Sequence, residues 1–302
     1  MRILVIGSEG FIGKNISNFF IKNGDEVVGI DFKASKALTV KYKFIRILSF
    51  NYNLEDLLES FIPDVLIFAG GSANIQLSIE QPNLDFEANV VSVSKLLESV
   101  RKINLKCKFI HFSSAAVYGN PKSLPINEDD NVNPLSPYGW HKYQAELLCK
   151  EYYNVYKLPT CNLRPFSVYG PGQYKLLFWD LFQKMKEDSS VVNLYGTGNE
   201  TRDFIFIDDL LNAIQLIIKN GDFKGTIYNI ASGSETSIHI AANIFKKSLG
   251  IDKEIKFIGT ERIGDPLYWN ANIAKISALG FNVNTNLESG LKLYLKWLQE
   301  KQ

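Results

Sequence analysis

Tyr138 and Lys142 stand four residues apart in the run Ser136-Pro-Tyr-Gly-Trp-His-Lys142, and residues at that spacing share one face of a helix. A phenol and an ammonium would then project side by side into one site. A nearby cation favours phenolate over phenol, so the spacing predicts a Tyr138 pKa lowered from its ordinary value of about 10 toward the range useful for general acid-base work. Such a pair can take a proton from a substrate hydroxyl. By themselves the same two residues also suit the surface of an ordinary amphipathic helix, and the rest of the chain has to decide.

The elements that would position the pair are visible in the pattern. Short apolar runs alternate with helical-period segments through the first two thirds of the chain, the signature of βα units on a parallel sheet. Residues 3–6, 26–30, 65–68, 109–112 and 160–163 read as buried strands, and 12–23, 54–59, 86–103 and 138–156 as crossover helices. This is an α/β class, a doubly wound parallel sheet filling residues 1–170. Residues 171–302 are Gly- and Pro-punctuated, with helices at 210–219, 238–249 and 287–300. They read as a smaller, partly interleaved substrate-binding lobe. Asp208 and Asp209, just ahead of the Leu210 helix, read as its cap.

Gly7-Ser-Glu-Gly10-Phe-Ile-Gly13 follows the first strand and opens a helix, the context that makes a glycine pattern a phosphate site. Glycines permit a tight turn and close backbone approach to a pyrophosphate, and the helix amino terminus supplies aligned N–H donors. A second strand ends at Ile30-Asp31, about the distance at which an acid can accept hydrogen bonds from adenosine ribose hydroxyls in a Rossmann-type fold. Its carboxylate would repel a 2′-phosphate, so NAD is preferred, while Lys33 and Lys36 nearby keep NADP possible. A nucleoside-triphosphate loop is excluded, because Gly13-Lys14 is followed by Asn15 and the upstream glycine position holds Ser8.

Composition narrows the partners. The 302 residues, 46% hydrophobic, suffice for a large core. With 33 basic against 32 acidic residues, nothing points to nucleic acid. Cys107, Cys149 and Cys161 and the histidines at 111, 141 and 239 lack metal-ligand spacing, so no metal is expected. Free thiols suit a reducing cytosol. The start of the chain runs straight into Arg2-Ile-Leu-Val-Ile-Gly7 and no apolar stretch approaches the length of a membrane span. The chain therefore reads as cytoplasmic, without a membrane partner.

These residues, together with Pro63-Asp64-Val65, Asn89, Ser113-Ser114-Ala-Ala-Val-Tyr-Gly119, Leu163-Arg-Pro-Phe-Ser-Val-Tyr-Gly-Pro-Gly172, Gly196-Thr-Gly198, Thr201-Arg-Asp-Phe-Ile205 and Arg262-Ile-Gly-Asp265, carry a resemblance over nearly the whole chain. It resembles the extended short-chain dehydrogenase/reductases, specifically the nucleotide-sugar epimerase/dehydratase group typified by UDP-galactose 4-epimerase. The resemblance implies that Ser114 hydrogen-bonds the reacting hydroxyl, Tyr138 exchanges its proton, and Lys142 holds the nicotinamide ribose. It implies a cofactor site at Gly7, Gly10, Phe11, Ile12, Gly13, Asp31 and Ala69, completed by Tyr138 and Lys142. Arg202 and Arg262 are its expected diphosphate ligands, since guanidinium pairs bidentately with phosphate oxygens. Asp203 and Asp265 would position them or contact sugar hydroxyls, and a homodimer through helices 86–103 and 138–156 is implied as well.

Three departures from the group's pattern bear on the reaction. Ser114-Ala115-Ala116 stands where the 4,6-dehydratases carry Thr-Asp-Glu, and two alanines cannot exchange a proton, which argues against that elimination. Ser167 replaces an asparagine near the substrate phosphate and can still hydrogen-bond. Trp269 falls where the 4-epimerases carry the residue whose bulk limits the sugar's C2 substituent, which would disfavour an N-acetyl group; it suits a packed aromatic equally. The phrase Asn51-Tyr-Asn-Leu-Glu55 lacks the usual acid after its strand. The expected activity is an NAD-dependent 4-epimerase on a nucleotide-diphosphate sugar. The same Ser-Tyr-Lys set also serves an NAD(P)H-dependent 4-keto-6-deoxysugar reductase, and a catalytically silent NAD(P)-binding regulator is the third reading.

Overall fold

In a computed structural model, which describes residues 1–34, 42–47, 54–260, 264 and 266–301, the apolar runs form parallel strands. They are β1 (Arg2–Ile6), β2 (Glu26–Asp31), β3 (Tyr42–Arg46), β4 (Val65–Phe68), β5 (Lys108–Phe112) and β6 (Thr160–Pro165). Between them run α1 (Phe11–Lys22), α2 (Glu55–Phe61), α3 (Ile75–Glu80), α4 (Pro82–Phe86), α5 (Ser92–Ile103) and α6 (Pro137–Tyr156). A π-helical segment, Glu87–Val91, joins α4 to α5.

The second part of the chain adds β7 (Ser167–Tyr169), α7 (Leu176–Lys186), β8 (Val191–Leu194), β9 (Thr201–Phe206), α8 (Ile207–Asn220) and β10 (Lys224–Ile230). After these come β11 (Glu235–Ser237), α9 (Ile238–Leu249), β12 (Glu254–Phe257), α10 (Ala274–Ser277) and α11 (Leu287–Glu300). The main sheet has seven strands in the order β10-β6-β5-β4-β1-β2-β3, all paired parallel. Strand order reverses between β1 and β4, and open α/β sheets bind ligands at the carboxyl ends flanking such a switch. Two small sheets, β11-β9-β7 and β12-β8, build the lobe.

Alternate residues of the central strands feed two separate cores. Ile3, Val5, Ile110 and Leu163 pack with α1, α7, α8, α9 and α11. Leu4, Leu66, Phe68 and Phe109 pack with α2, α5 and α6. Burial on both faces is why these strands read as unbroken apolar runs. The pattern did not announce β3, whose residues are mostly part-exposed. Nor did it announce β10, which enters the sheet from residues 224–230, beyond the 170 division, with a register shift between Lys224 and Thr226. Helix α8 begins at Ile207, so Asp208 and Asp209 lie inside its first turn. Buried Asp209 accepts the Asn284 and Thr285 N–H groups at 3.1 and 3.0 Å, tying down the approach to α11 rather than capping α8. Among the described residues no helix is long and apolar enough to cross a membrane.

Candidate active site

The amino-terminal turn of α6 carries the candidate pair. Ser136 accepts the Gly139 N–H at 3.3 Å as N-cap, Pro137 follows at the first helical position, and Tyr138 donates its N–H to Ser78 Oγ at 3.2 Å. A Cβ on Gly139 would come within 2.8 Å of the Ala116 carbonyl oxygen. Only glycine therefore lets α6 approach the loop after β5. That loop ends the strand at Ser113 and Ser114, and Ser114 caps the single 3-10 turn Ala115–Val117 by accepting the Ala116 N–H at 3.1 Å. Ser114 also hydrogen-bonds Tyr138, whereas the Ser113 hydroxyl is buried without a hydrogen-bond partner among the described residues.

Burial, not the neighbouring cation, dominates the phenol. Tyr138 is 8% exposed and Lys142 3%. Desolvation pushes Tyr138 up to about 12, the Ser114 hydrogen bond opposes this, and the charge of Asp85 adds to it. The expected lowering by Lys142 is thus corrected. The ammonium lies 5.9 Å from the ring centroid and donates to the Phe112 carbonyl at 2.8 Å. Lys142 itself is lowered to about 8 by burial, against the opposing charges of Asp85 and Glu146. A buried ammonium and a buried phenol thus each resist charging, and their titrations move apart, the lysine downward and the tyrosine upward.

Several polar groups around the pair had no role assigned from sequence. Asp85 on α4 is 2% exposed; its Oδ2 lies 2.6 Å from His141 Nδ1, and its Oδ1 is buried without a partner among the described residues. Asn89, in the π-helical segment, donates to the Ser72 carbonyl at 3.2 Å while its Oδ1 has no partner among the described residues. Behind Lys142, His111 Nδ1 meets Asn162 Oδ1 at 3.0 Å across the β5–β6 register. Burial and the Lys142 charge hold His111 down at about 3, so it stays neutral. One turn along α6, Glu146 forms a bidentate pair with buried Arg164 at 2.6 and 2.8 Å. None of these contacts has a local signature, because the partners are far apart in sequence.

The glycine loop has the shape of an anion site. Gly7 sits at φ +83, and a Cβ there would lie 2.6 Å from the backbone of Gly70. Its N–H and that of Ser8 go to the Ile30 carbonyl, which joins the loop to the end of β2. Helix α1 starts at Phe11 after Gly10 with no side-chain cap and no acid in its first turn, so its positive end is left for an anion. Asp31 accepts the Glu9 and Lys33 N–H groups, each at 2.9 Å. That fixes its carboxylate at the rim of the loop, with lone pairs remaining for hydroxyl donors. Ile12 and Ala69 are half-buried beside it and Gly13 is buried. These residues fit a dinucleotide.

On the lobe side, Arg202 donates to the Thr201 carbonyl at 2.8 Å and lies 5.5 Å above the Trp269 ring. Trp269 is buried, gives its indole N–H to the Gly119 carbonyl at 3.2 Å and packs edge-on against Phe166. It therefore serves as a packed aromatic beneath Arg202, while Tyr268 beside it is 49% exposed. Asp203 is fully buried and accepts four hydrogen bonds, from the Ser232 N–H and hydroxyl and the Gly233 and Ala271 N–H groups. It braces the backbone instead of contacting Arg202, and burial raises it to about 6 against those bonds. Ser167 is half-buried at the start of β7. Arg262 and Asp265, with Lys36 and the 51–53 part of the phrase after β3, lie outside the described residues.

Comparison with known proteins agrees with this geometry. A family model described as the NAD dependent epimerase/dehydratase family matches residues 3–231. The UDP-glucose 4-epimerase of Mycolicibacterium smegmatis is 30% identical over 279 residues, covering 88% of each chain. A crystal structure of UDP-glucuronic acid 4-epimerase from Bacillus cereus, in complex with UDP-glucuronic acid and NAD, superposes with a TM-score of 0.91. It is 30% identical and covers 100% of both chains. The UDP-glucose 4-epimerase of Thermotoga maritima, with UDP-glucose, gives a TM-score of 0.92 at 29% identity, covering 100% of this chain and 99% of that one.

Proposed function

The chain belongs to the NAD dependent epimerase/dehydratase family, and within it we propose an NAD-dependent UDP-sugar 4-epimerase. One observation carries the reading: Ser114 and Tyr138 are hydrogen-bonded at the carboxyl edge of the sheet beside Lys142, with buried alanines at 115 and 116. Proton exchange is available there, and the two alanines cannot exchange the proton that a water elimination needs. Full-length similarity to 4-epimerases supports it.

Gly7, Gly10, Phe11, Ile12, Gly13 and Ala69 would cradle the dinucleotide and Asp31 its adenosine ribose. When bound, NAD supplies hydride acceptance at sugar C4 and its return. Ser114 Oγ would orient the C4 hydroxyl, and Tyr138 would take its proton as the 4-keto sugar forms and return it to the C4 oxygen once the ketose has turned over to present its other face. Lys142, fixed by the Phe112 carbonyl, holds the nicotinamide ribose and adds positive charge at the phenol. Arg202, with Arg262 and Asp265, is assigned to the diphosphate end, and Ser167 to a phosphate hydrogen bond; Trp269 supports Arg202 from below. Because the sugar leaves with the hydride it arrived with, no reductant is consumed.

Exposed Leu84 on α4 and Trp140, Leu147 and Val155 on α6 support a homodimer closed over that face. Three buried free thiols support a reducing, cytoplasmic setting. Gel filtration of the purified protein tests both cofactor and assembly. Expected are elution at twice the chain mass, NAD detected by mass spectrometry in the protein peak, and interconversion of UDP-glucose or UDP-glucuronic acid with the C4 epimer without added cofactor. Stoichiometric oxidation of NADPH or NADH with a 4-keto sugar, and no epimerisation, would replace this reading with a reductase.

A further inference from the structure

Taking Tyr138 as the acid/base, we propose that Asp85, held by His141, is a positioning residue for the Tyr138–Lys142 pair, supplying the buried negative charge that offsets the Lys142 ammonium. Helix α4 packs against the start of α6, and the His141 contact ties the Asp85 carboxylate to the turn of α6 that carries the pair. A carboxylate only accepts, so His141 donates its Nδ1–H to Oδ2 at 2.6 Å. Phe86 closes over the imidazole edge-on at 5.3 Å. The other oxygen, Oδ1, is buried with no donor among the described residues, so among them half of the carboxylate has no hydrogen bond to disperse its charge. In surroundings this dry, that charge reaches Lys142 and Tyr138 with little screening.

The groups facing the pair leave Asp85 a distinct part. Glu146, on α6 itself, also opposes the burial of Lys142, but it is committed to Arg164 in a bidentate pair. From β5 come the Phe112 carbonyl and neutral His111. From the β5 loop comes the uncharged Ser114 hydroxyl, and from α3 the Ser78 hydroxyl at the Tyr138 N–H. Asp85 is the acid among them that acts on both members: it favours the charged form of Lys142 and disfavours the phenolate of Tyr138. Removing its charge should therefore ease deprotonation of both groups, moving both titrations to lower pH.

Asp85→Asn tests this, because an amide oxygen still accepts from His141 while the charge is gone. In the NAD-loaded protein, the pH profile of kcat for epimerisation should slide to lower pH by on the order of one unit, with the thermal midpoint little changed. Carbon-13 NMR of ζ-labelled tyrosine, assigned with Tyr138→Phe, should show Tyr138 titrating at lower pH in Asp85→Asn. That readout needs no substrate. If neither wild-type nor variant epimerises but the tyrosine titration moves, the 4-epimerase reading fails and the role of Asp85 stands. His141→Gln, which keeps a donor for Asp85, should leave the profile in place. An unmoved Tyr138 titration in Asp85→Asn, or an equal displacement in His141→Gln, would overturn the proposal.

Discussion

At the scale of single residues, the site sacrifices stability for chemistry, and Lys142 shows it most directly. Its folded pKa is about 8, below the ordinary 10.5, because burial disfavours the ammonium. A base whose pKa falls on folding destabilises the fold wherever it must be charged in both states. The cost is full below about pH 8 and is relieved as pH rises through 8 toward the unfolded value. Lys142→Met should therefore raise stability by roughly 1–2 kcal/mol at pH 7, after allowing for the lost donor to the Phe112 carbonyl. The gain should shrink at pH 10 while activity falls by at least ~100-fold. Thermal midpoints of wild type and variant at the two pH values, alongside epimerase rates, check it. A variant less stable at pH 7 would mean that the ammonium's contacts outweigh its desolvation.

At the scale of elements, α6 must hold its register against the sheet for Tyr138 to meet Ser114, and the buried Arg164–Glu146 pair is its anchor. Arg164 also donates to the Glu128 carbonyl at 3.0 Å and stacks 4.6 Å from the Tyr118 ring. Arg164→Met would strand a charged Glu146 and should lower unfolding free energy by about 3–5 kcal/mol, whereas Arg164→Met with Glu146→Leu should recover most of it. Denaturant unfolding of the two variants decides between them. Strands β1, β4 and β5 were legible within a residue or two because they are apolar on both faces. The α6 helix was read from its helical-period stretch over 138–156, and Ser136-Pro137, a cap followed by an N1 proline, fixes where it begins. The π-helical turn at 87–91 was not, since it continues a helical apolar period, and Asp85–His141 was not, since neither residue marks the other. The Tyr138–Lys142 face was read correctly as a juxtaposition and wrongly as an electrostatic effect, because the periodicity carries no information on how dry the site is.

At the scale of the whole molecule, the cofactor half and the lobe share a sheet and a core. Strand β10 lies beyond residue 170 yet pairs with β6 from Lys224↔Thr160 to Ile230↔Pro165. Its Asn229 accepts the Tyr118 hydroxyl at 2.6 Å, and Trp269 donates to Gly119, so the loop carrying Ser114 is steadied by two segments of the lobe. Leu210, Ile214 and Phe245 pack in the same cluster as Ile3 and Val5 of β1. We therefore propose that the division at residue 170 is functional, not a boundary between independently stable units. A chain cut after Gly170 would lose the edge strand and expose the β6 ladder and the α8-facing side of the sheet, an invitation to aggregate. Such a fragment should be insoluble or molten by near-ultraviolet circular dichroism and should not bind NAD. The intact protein should unfold in one calorimetric transition that NAD shifts upward as a unit. A soluble, NAD-binding 1–170 fragment, or two resolved transitions, would show that the glycine loop and Asp31 need only their own half of the chain.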